Sequence, residues 1–329
     1  EPMSQLEGTD LWWWQTELDP RVRMSYLYYV DYEPTTDPGH SRTVTSTVLG
    51  PDMNWQRAES MEMSWFAGPE WPGWRSGEQD GGEGREGGRL EAIEVEVPRP
   101  EEGSQDTLSV PLQVWLPPGY DDSERRYPVL FVHHAEAREA GGWVGTLDRA
   151  VGVGVEPLIV FFIEGRAPRS AFLDQIVPAI DERYRTAGER ERRGNVGMAW
   201  QSIGAVVNTF QASDRFGVLG VQSFYALDEP MSFAIEAIGE KTAADTPMRI
   251  YYEWGEWDLV SPHEQMNMRQ SSLELYELLL ERGWRPIGGE VWDSTDFASW
   301  RNRTRLLLEA LFPVDGEGPP EGLDRWLTS

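Results

Sequence analysis

The chain has 329 residues, enough for one large folded unit and a smaller one, and its 40% hydrophobic and 12% aromatic content can supply a core. A formal net charge of -27 excludes a nucleic-acid ligand, which needs clustered cations, and disfavours an anionic membrane surface. With no cysteine there can be no disulfide, no thiolate catalysis and no cysteine-ligated metal, and no apolar run nears the ~20 residues of a membrane-spanning helix. The acids are spread along the whole chain, which fits solubility or habitat better than a dedicated basic partner. The sequence opens Glu1-Pro2 without an initiator Met or a signal-peptide pattern. That start fits a processed mature protein or a missing N-terminus. The compartment is left open, with an extracytoplasmic location favoured over a cytoplasmic one.

Residues 1–75 hold seven of the 16 tryptophans: Trp12, Trp13, Trp14, Trp55, Trp65, Trp71 and Trp74. Ser25–Tyr32 and Arg42–Val48 read as strands, punctuated by Pro34 and Asp37-Pro38-Gly39. Residues 76–89 are Gly/Glu-rich and read as a linker. From Leu90 onward strands and helices alternate. Predicted strands are Leu90–Val97, Ser109–Trp115, Val129–His133, Leu158–Ile163, Asn195–Ala199, Val218–Gln222, Met248–Glu253 and Pro286–Trp292. Predicted helices are Ser170–Tyr184, Trp200–Ala212, Ser232–Ile238, Ser261–Arg282 and Ala298–Leu311. This order predicts an α/β fold, a mostly parallel doubly wound sheet over residues 90–315, with a C-terminal tail at 316–329. Val151-Gly152-Val153-Gly154-Val155 precedes a strand and so reads as a helix-to-strand loop, not a dinucleotide fingerprint.

Several segments, in order, resemble the esterase D/enterochelin-esterase family of α/β-hydrolases. They are Val114–Asp121 (VWLPPGYD), Tyr127–His134 (YPVLFVHH), Gln175–Tyr184 (QIVPAIDERY), Asp214–Gly217 (DRFG), Gly255–Asp258 (GEWD) and Trp300-Arg301. Met3–Asp37 also looks like the later half of the β-sandwich that precedes the hydrolase domain in enterochelin esterases. The resemblance implies an α/β-hydrolase sheet preceded by a small, partial β-sandwich-like segment.

It also implies where a catalytic triad would stand. Such an enzyme needs a serine at the sharp turn of G-x-S-x-G. The matching run here is Gly197-Met198-Ala199-Trp200-Gln201, with Ala199 at the nucleophile position and Gln201 at the second glycine. Phe216 follows Ala199 by 17 residues, the family's spacing. A rival register would use Ser202, at the price of a deletion in the following helix. The family's acid corresponds to Asp258, and its histidine position holds Thr295, which cannot shuttle a proton near neutral pH. His134 matches the oxyanion-loop histidine, but the next residue is Ala135 instead of glycine. Of four histidines, His40, His133, His134 and His263, none lies in the last 66 residues.

These residues predict a non-catalytic relative acting as a structural or interaction subunit, with a protein partner or a second copy and with Trp65, Trp71 and Trp74 as candidate contacts. One alternative is a ligand-binding module whose cleft, lined by Trp200 and Trp257, holds a siderophore or ester-like small molecule. Another is a serine carboxylesterase with a rearranged Ser202–Asp258–His263 triad. No cofactor is expected. The His133-His134 pair lacks downstream ligands at metal spacing, so no metal site is expected either.

Overall fold

Strand-length apolar runs bounded by glycine, proline and acids dictate the framework. The computed structural model describes residues 3–30, 33–46, 61–73, 87–99, 106–163, 171–226, 228–261, 266–314 and 319–328. Near the N-terminus, β1 (Arg23–Tyr26), β2 (Thr43–Ser46) and β3 (Met61–Ala67) form a three-stranded antiparallel sheet in the order β1-β3-β2. The long strand expected at 25–32 breaks at Leu27, and Tyr28–Val30 pairs antiparallel with Glu33–Thr35; residues 31 and 32 lie outside the described residues. A further two-stranded hairpin pairs Ser4–Gln5 with Trp12–Trp13.

The large sheet has eight strands: β4 (Arg89–Pro98), β5 (Thr107–Leu116), β6 (Val129–Val132), β7 (Ile159–Ile163), β8 (Arg193–Met198), β9 (Val218–Gln222), β10 (Arg249–Trp257) and β11 (Ile287–Ser294). Their order is β11-β10-β9-β8-β6-β7-β5-β4. All neighbours are parallel except β7-β5 and β5-β4. Each of the eight predicted strands lies in this sheet.

The central strands are buried on both faces, as a covered parallel sheet requires. Leu130, Val132, Val160, Phe162 and Val196 point one way, against α1 (Trp143–Ala150) and α7 (Thr304–Leu311). Their neighbours Val129, Phe131, Ile159 and Phe161 point the other way, against α2 (Val177–Arg183). Beside them, α3 (Ser202–Gln211), α4 (Asp228–Ile238) and α5 (Met268–Glu281) cover Leu219, Val221, Ile250 and Tyr252. The short helix α6 (Phe297–Trp300) lies between β11 and α7.

Helix α4 begins at Asp228, ahead of the expected Ser232, and four other helix boundaries differ from expectation for identifiable reasons. The first begins as a π-helical turn, Phe172–Ile176, just before Pro178, which has no backbone N–H to donate. The next starts at Ser202, after a 3-10 turn spanning Ala199–Gln201. Helix α5 starts at Met268, not Ser261, because Asn267 caps it by accepting the Gln270 N–H at 2.9 Å. The last predicted helix is split into α6 and α7 at Arg301–Arg303. Helix α1 has no counterpart among the predicted helices; it follows Gly141-Gly142 and contains Gly145, a weak helical signal. Residues 323–328 are not a loose tail. Trp326 is buried, and its carbonyl and that of Leu327 accept the backbone and indole N–H groups of Trp292. Among the described residues no helix is long and apolar enough to cross a membrane.

Candidate functional site

Strand β8 runs into α3 through a sharp turn, and the residue at its apex is Ala199, with φ at +47°. For an L-residue with a side chain the left-handed region costs about 1–2 kcal/mol, so this turn is strained. Two residues earlier, Gly197 makes it sterically feasible. A Cβ there would come within 2.4 Å of the Ser202 Cα and 2.8 Å of the Gln201 carbonyl oxygen. The side chain projected from this apex is a methyl group, without a lone pair. Trp200 and Gln201 are half-buried, and the Trp200 ring lies 5.7 Å from that of Tyr225. Trp200 packs against both apolar clusters that meet here. Ser202 is the first residue of α3; it is fully buried and its hydroxyl donates to the Ala199 carbonyl.

Asp258 follows β10 and is buried. Gly255 makes room for it: a Cβ at 255 would stand 2.6 Å from Asp258 Oδ1. That oxygen accepts the Ser223 hydroxyl at 3.1 Å, and Ser223 in turn accepts the Trp300 indole N–H at 3.0 Å. Asp258 Oδ2 has no hydrogen-bond partner. The Thr295 hydroxyl accepts the Leu259 N–H at 3.3 Å and lies close enough to favour the carboxylate. Burial outweighs Thr295, Ser223, the Gly255 backbone and Arg303, and pushes the Asp258 carboxyl up to about 7. Ser223, with φ at +54°, was not singled out from sequence; a lone serine after a strand carries no pattern that would mark it.

The described histidines are engaged elsewhere. His133 Nε2 lies 2.8 Å from Asn195 Oδ1, and burial lowers this imidazole to about 4, so it is neutral at physiological pH. His134 ends the segment after β6, with Nδ1 2.7 Å from Glu136 and its ring against Phe297. Ala135 opens the 3-10 turn Ala135–Arg138. His40 accepts the Arg42 N–H in the N-terminal sheet. His263 and Trp74 lie outside the described residues. No described imidazole contacts Asp258, and no group of three potential ligands that could hold a metal occurs among the described residues.

Trp65 and Trp71 are packed into a seam. Trp71 is buried with Ala67, Val291 and Trp326, and Trp65 is half-buried against the same cluster. Behind them runs a buried ion network. The Arg23 guanidinium of β1 reaches Asp293 and Asp296 at 3.0 Å each; Arg303 reaches Asp293 and Glu253 at 2.9 Å each. Ser25 also donates to Asp296 at 2.5 Å, and Asp296 caps α6 by accepting the Ser299 N–H. The N-terminal sheet is thereby tied to both sides of Thr295. The sequence shows these residues only as scattered charges; their partnership needs the topology.

Comparison with solved structures finds the same architecture in other proteins. A ferric enterobactin esterase from Salmonella typhimurium superposes with a TM-score of 0.62 at 15% identity, covering 94% of this chain and 83% of that one. An enterochelin esterase from Shigella flexneri gives 0.55 at 16% identity, covering 94% and 82%. A ferulic acid esterase gives 0.54 at 17%, covering 68% and 98%. No family model matches the sequence. At these identities the likeness establishes the architecture: the chain has the α/β-hydrolase fold, with small antiparallel sheets added at its N-terminus.

Proposed function

We propose that this chain is a catalytically silent member of the esterase-like α/β-hydrolases and serves as a structural or interaction subunit. The observation that carries the reading is the occupant of the elbow: Ala199 holds the strained left-handed backbone expected of a nucleophile, yet offers only a methyl group. Asp258 supports it further. An acid that orients an imidazole works as a carboxylate, whereas Asp258 is buried beside Thr295 with its carboxyl pushed up to about 7. The rearranged triad is disfavoured because Ser202 is buried inside the turn and its hydroxyl is committed to Ala199. Trp65 and Trp71, spent on the seam, are poorly placed as contacts for a partner.

The test is p-nitrophenyl acetate hydrolysis by the purified chain, beside a heat-denatured sample and the Ser202→Ala variant. The reading expects no turnover above the denatured sample in either protein. Turnover in the wild type that Ser202→Ala abolishes would establish a working serine and overturn it.

A further inference from the structure

Among the described residues, the tryptophans most open to solvent lie on and beside the N-terminal hairpin. Ser4 pairs with Trp13 and Gln5 with Trp12, so adjacent indoles stand on opposite faces of the ribbon. Trp12 and Trp13 are 59% and 53% exposed, and Leu11 and Leu6 beside them are 64% and 49% exposed. A soluble chain rarely leaves so many large apolar side chains together in water unless something binds them. A ribbon apolar on both faces fits into a groove better than onto a flat surface.

Charge decides what fits. The first 20 residues contain Glu1, Glu7, Asp10, Glu17 and Asp19 and no Lys, Arg or His. The first cation, Arg21, is already bonded to Asp19. A second copy would bring another chain of net charge -27 against these carboxylates, and an anionic lipid surface would be repelled in the same way. Guanidinium groups already pack on indoles elsewhere in this fold. Arg23 and Arg42 lie 5.3 and 5.4 Å from the Trp65 ring centre, and Arg21 lies 4.1 Å from that of Trp292. No described guanidinium lies over Trp12 or Trp13.

We infer that this hairpin is a docking element for a basic protein partner, which lays arginine side chains on Trp12 and Trp13 while Glu7 and Asp10 pair with neighbouring cations. Arginine suits this better than lysine because its flat guanidinium stacks on the ring and pairs with carboxylate at once. The inference rests on the interaction-subunit reading and gives that reading its surface and the chemistry of its partner.

The test titrates the full chain with fluorescein-labelled nine-residue peptides rich in arginine, in lysine or in glutamate, read by anisotropy at two salt concentrations. The expected result is arginine above lysine and no binding of the glutamate peptide. Trp12→Ala/Trp13→Ala, which leaves the net charge unchanged, should weaken the arginine peptide by about tenfold. Glu7→Gln/Asp10→Asn should weaken it less and flatten its salt dependence. Unchanged affinity in the tryptophan variant would reduce the binding to diffuse electrostatics and overturn the inference. So would self-association in sedimentation, or capture by neutral phosphatidylcholine vesicles, that the same variant abolishes. None of these outcomes bears on ester turnover, so the docking element can fail while the silent-site reading stands.

Discussion

Replacing Asp258 by Asn probes whether the acid position still behaves as part of a working triad. An unfolded aspartate titrates near 3.8, whereas the folded Asp258 carboxyl is pushed up to about 7 by burial. Below the unfolded value both states are protonated and the group favours neither. As the pH rises from there toward 7, the unfolded chain has released a proton that the folded chain retains. Stability therefore falls through this window and levels off above it, by about 4 kcal/mol in all. Asparagine keeps an acceptor for the Ser223 hydroxyl and never acquires the buried charge. Its amide nitrogen takes the place of Oδ2, which has no partner to lose. A new buried donor costs about 1–3 kcal/mol if it finds no partner, and less if it reaches the Thr295 hydroxyl. Asp258→Asn should thus be more stable than the wild type by roughly 1–3 kcal/mol near pH 8, and weaker by roughly 0.5–2.5 kcal/mol near pH 4. Urea unfolding of both proteins across that range measures the difference. A variant several kcal/mol weaker at pH 8 would refute the reasoning, because it would mean that Asp258 is a carboxylate held by a cation.

Four further substitutions test the surroundings. Arg23→Ala removes the cation paired with Asp296 and leaves Asp293 with Arg303 alone, both carboxylates being fully buried, and should cost about 3–5 kcal/mol in urea unfolding. Arg21→Ala, which removes an accessible guanidinium from the face of Trp292, should leave the urea midpoint almost unchanged; equal losses would deny the network its structural weight. At the elbow, Ala199→Gly relieves about 1–2 kcal/mol of left-handed strain against about 0.5–1 kcal/mol of added chain entropy, a net gain of roughly 0–1.5 kcal/mol. The same change at Ala205, six residues on inside α3, should instead cost about 1 kcal/mol; a loss at both positions would show that the turn is not strained.

Much of the architecture was legible because it depends on local pattern. Runs such as Val129–Val132 and Ile159–Ile163 are too apolar to be anything but strands covered on both faces, and their alternation with helices leaves few topologies. The elbow was located through the family resemblance, which put Gly197 two residues before Ala199 and Phe216 17 after it; the strand-to-helix turn with φ of +47° falls at Ala199. Helix starts were less so, because a cap such as Asn267 competes in the sequence with other polar residues that look as suitable. The environment of Asp258 was not legible at all. Ser223, Trp300 and Thr295 are 35, 42 and 37 residues away and meet it only when the strand ends converge. Tryptophans posed the same difficulty, since composition could not separate Trp71, which fills a seam, from Trp12 and Trp13, which face solvent.

The proposal that the elbow is catalytically silent is tested most directly by fluorophosphonate labelling of the wild-type chain, read by intact mass and peptide mapping. An activated serine reacts stoichiometrically with this reagent whatever its natural substrate. The expected result is an unmodified mass after prolonged exposure to excess reagent. A one-to-one adduct, on Ser202 or on any other serine, would contradict it and make the chain a working esterase with its nucleophile outside the position held by Ala199.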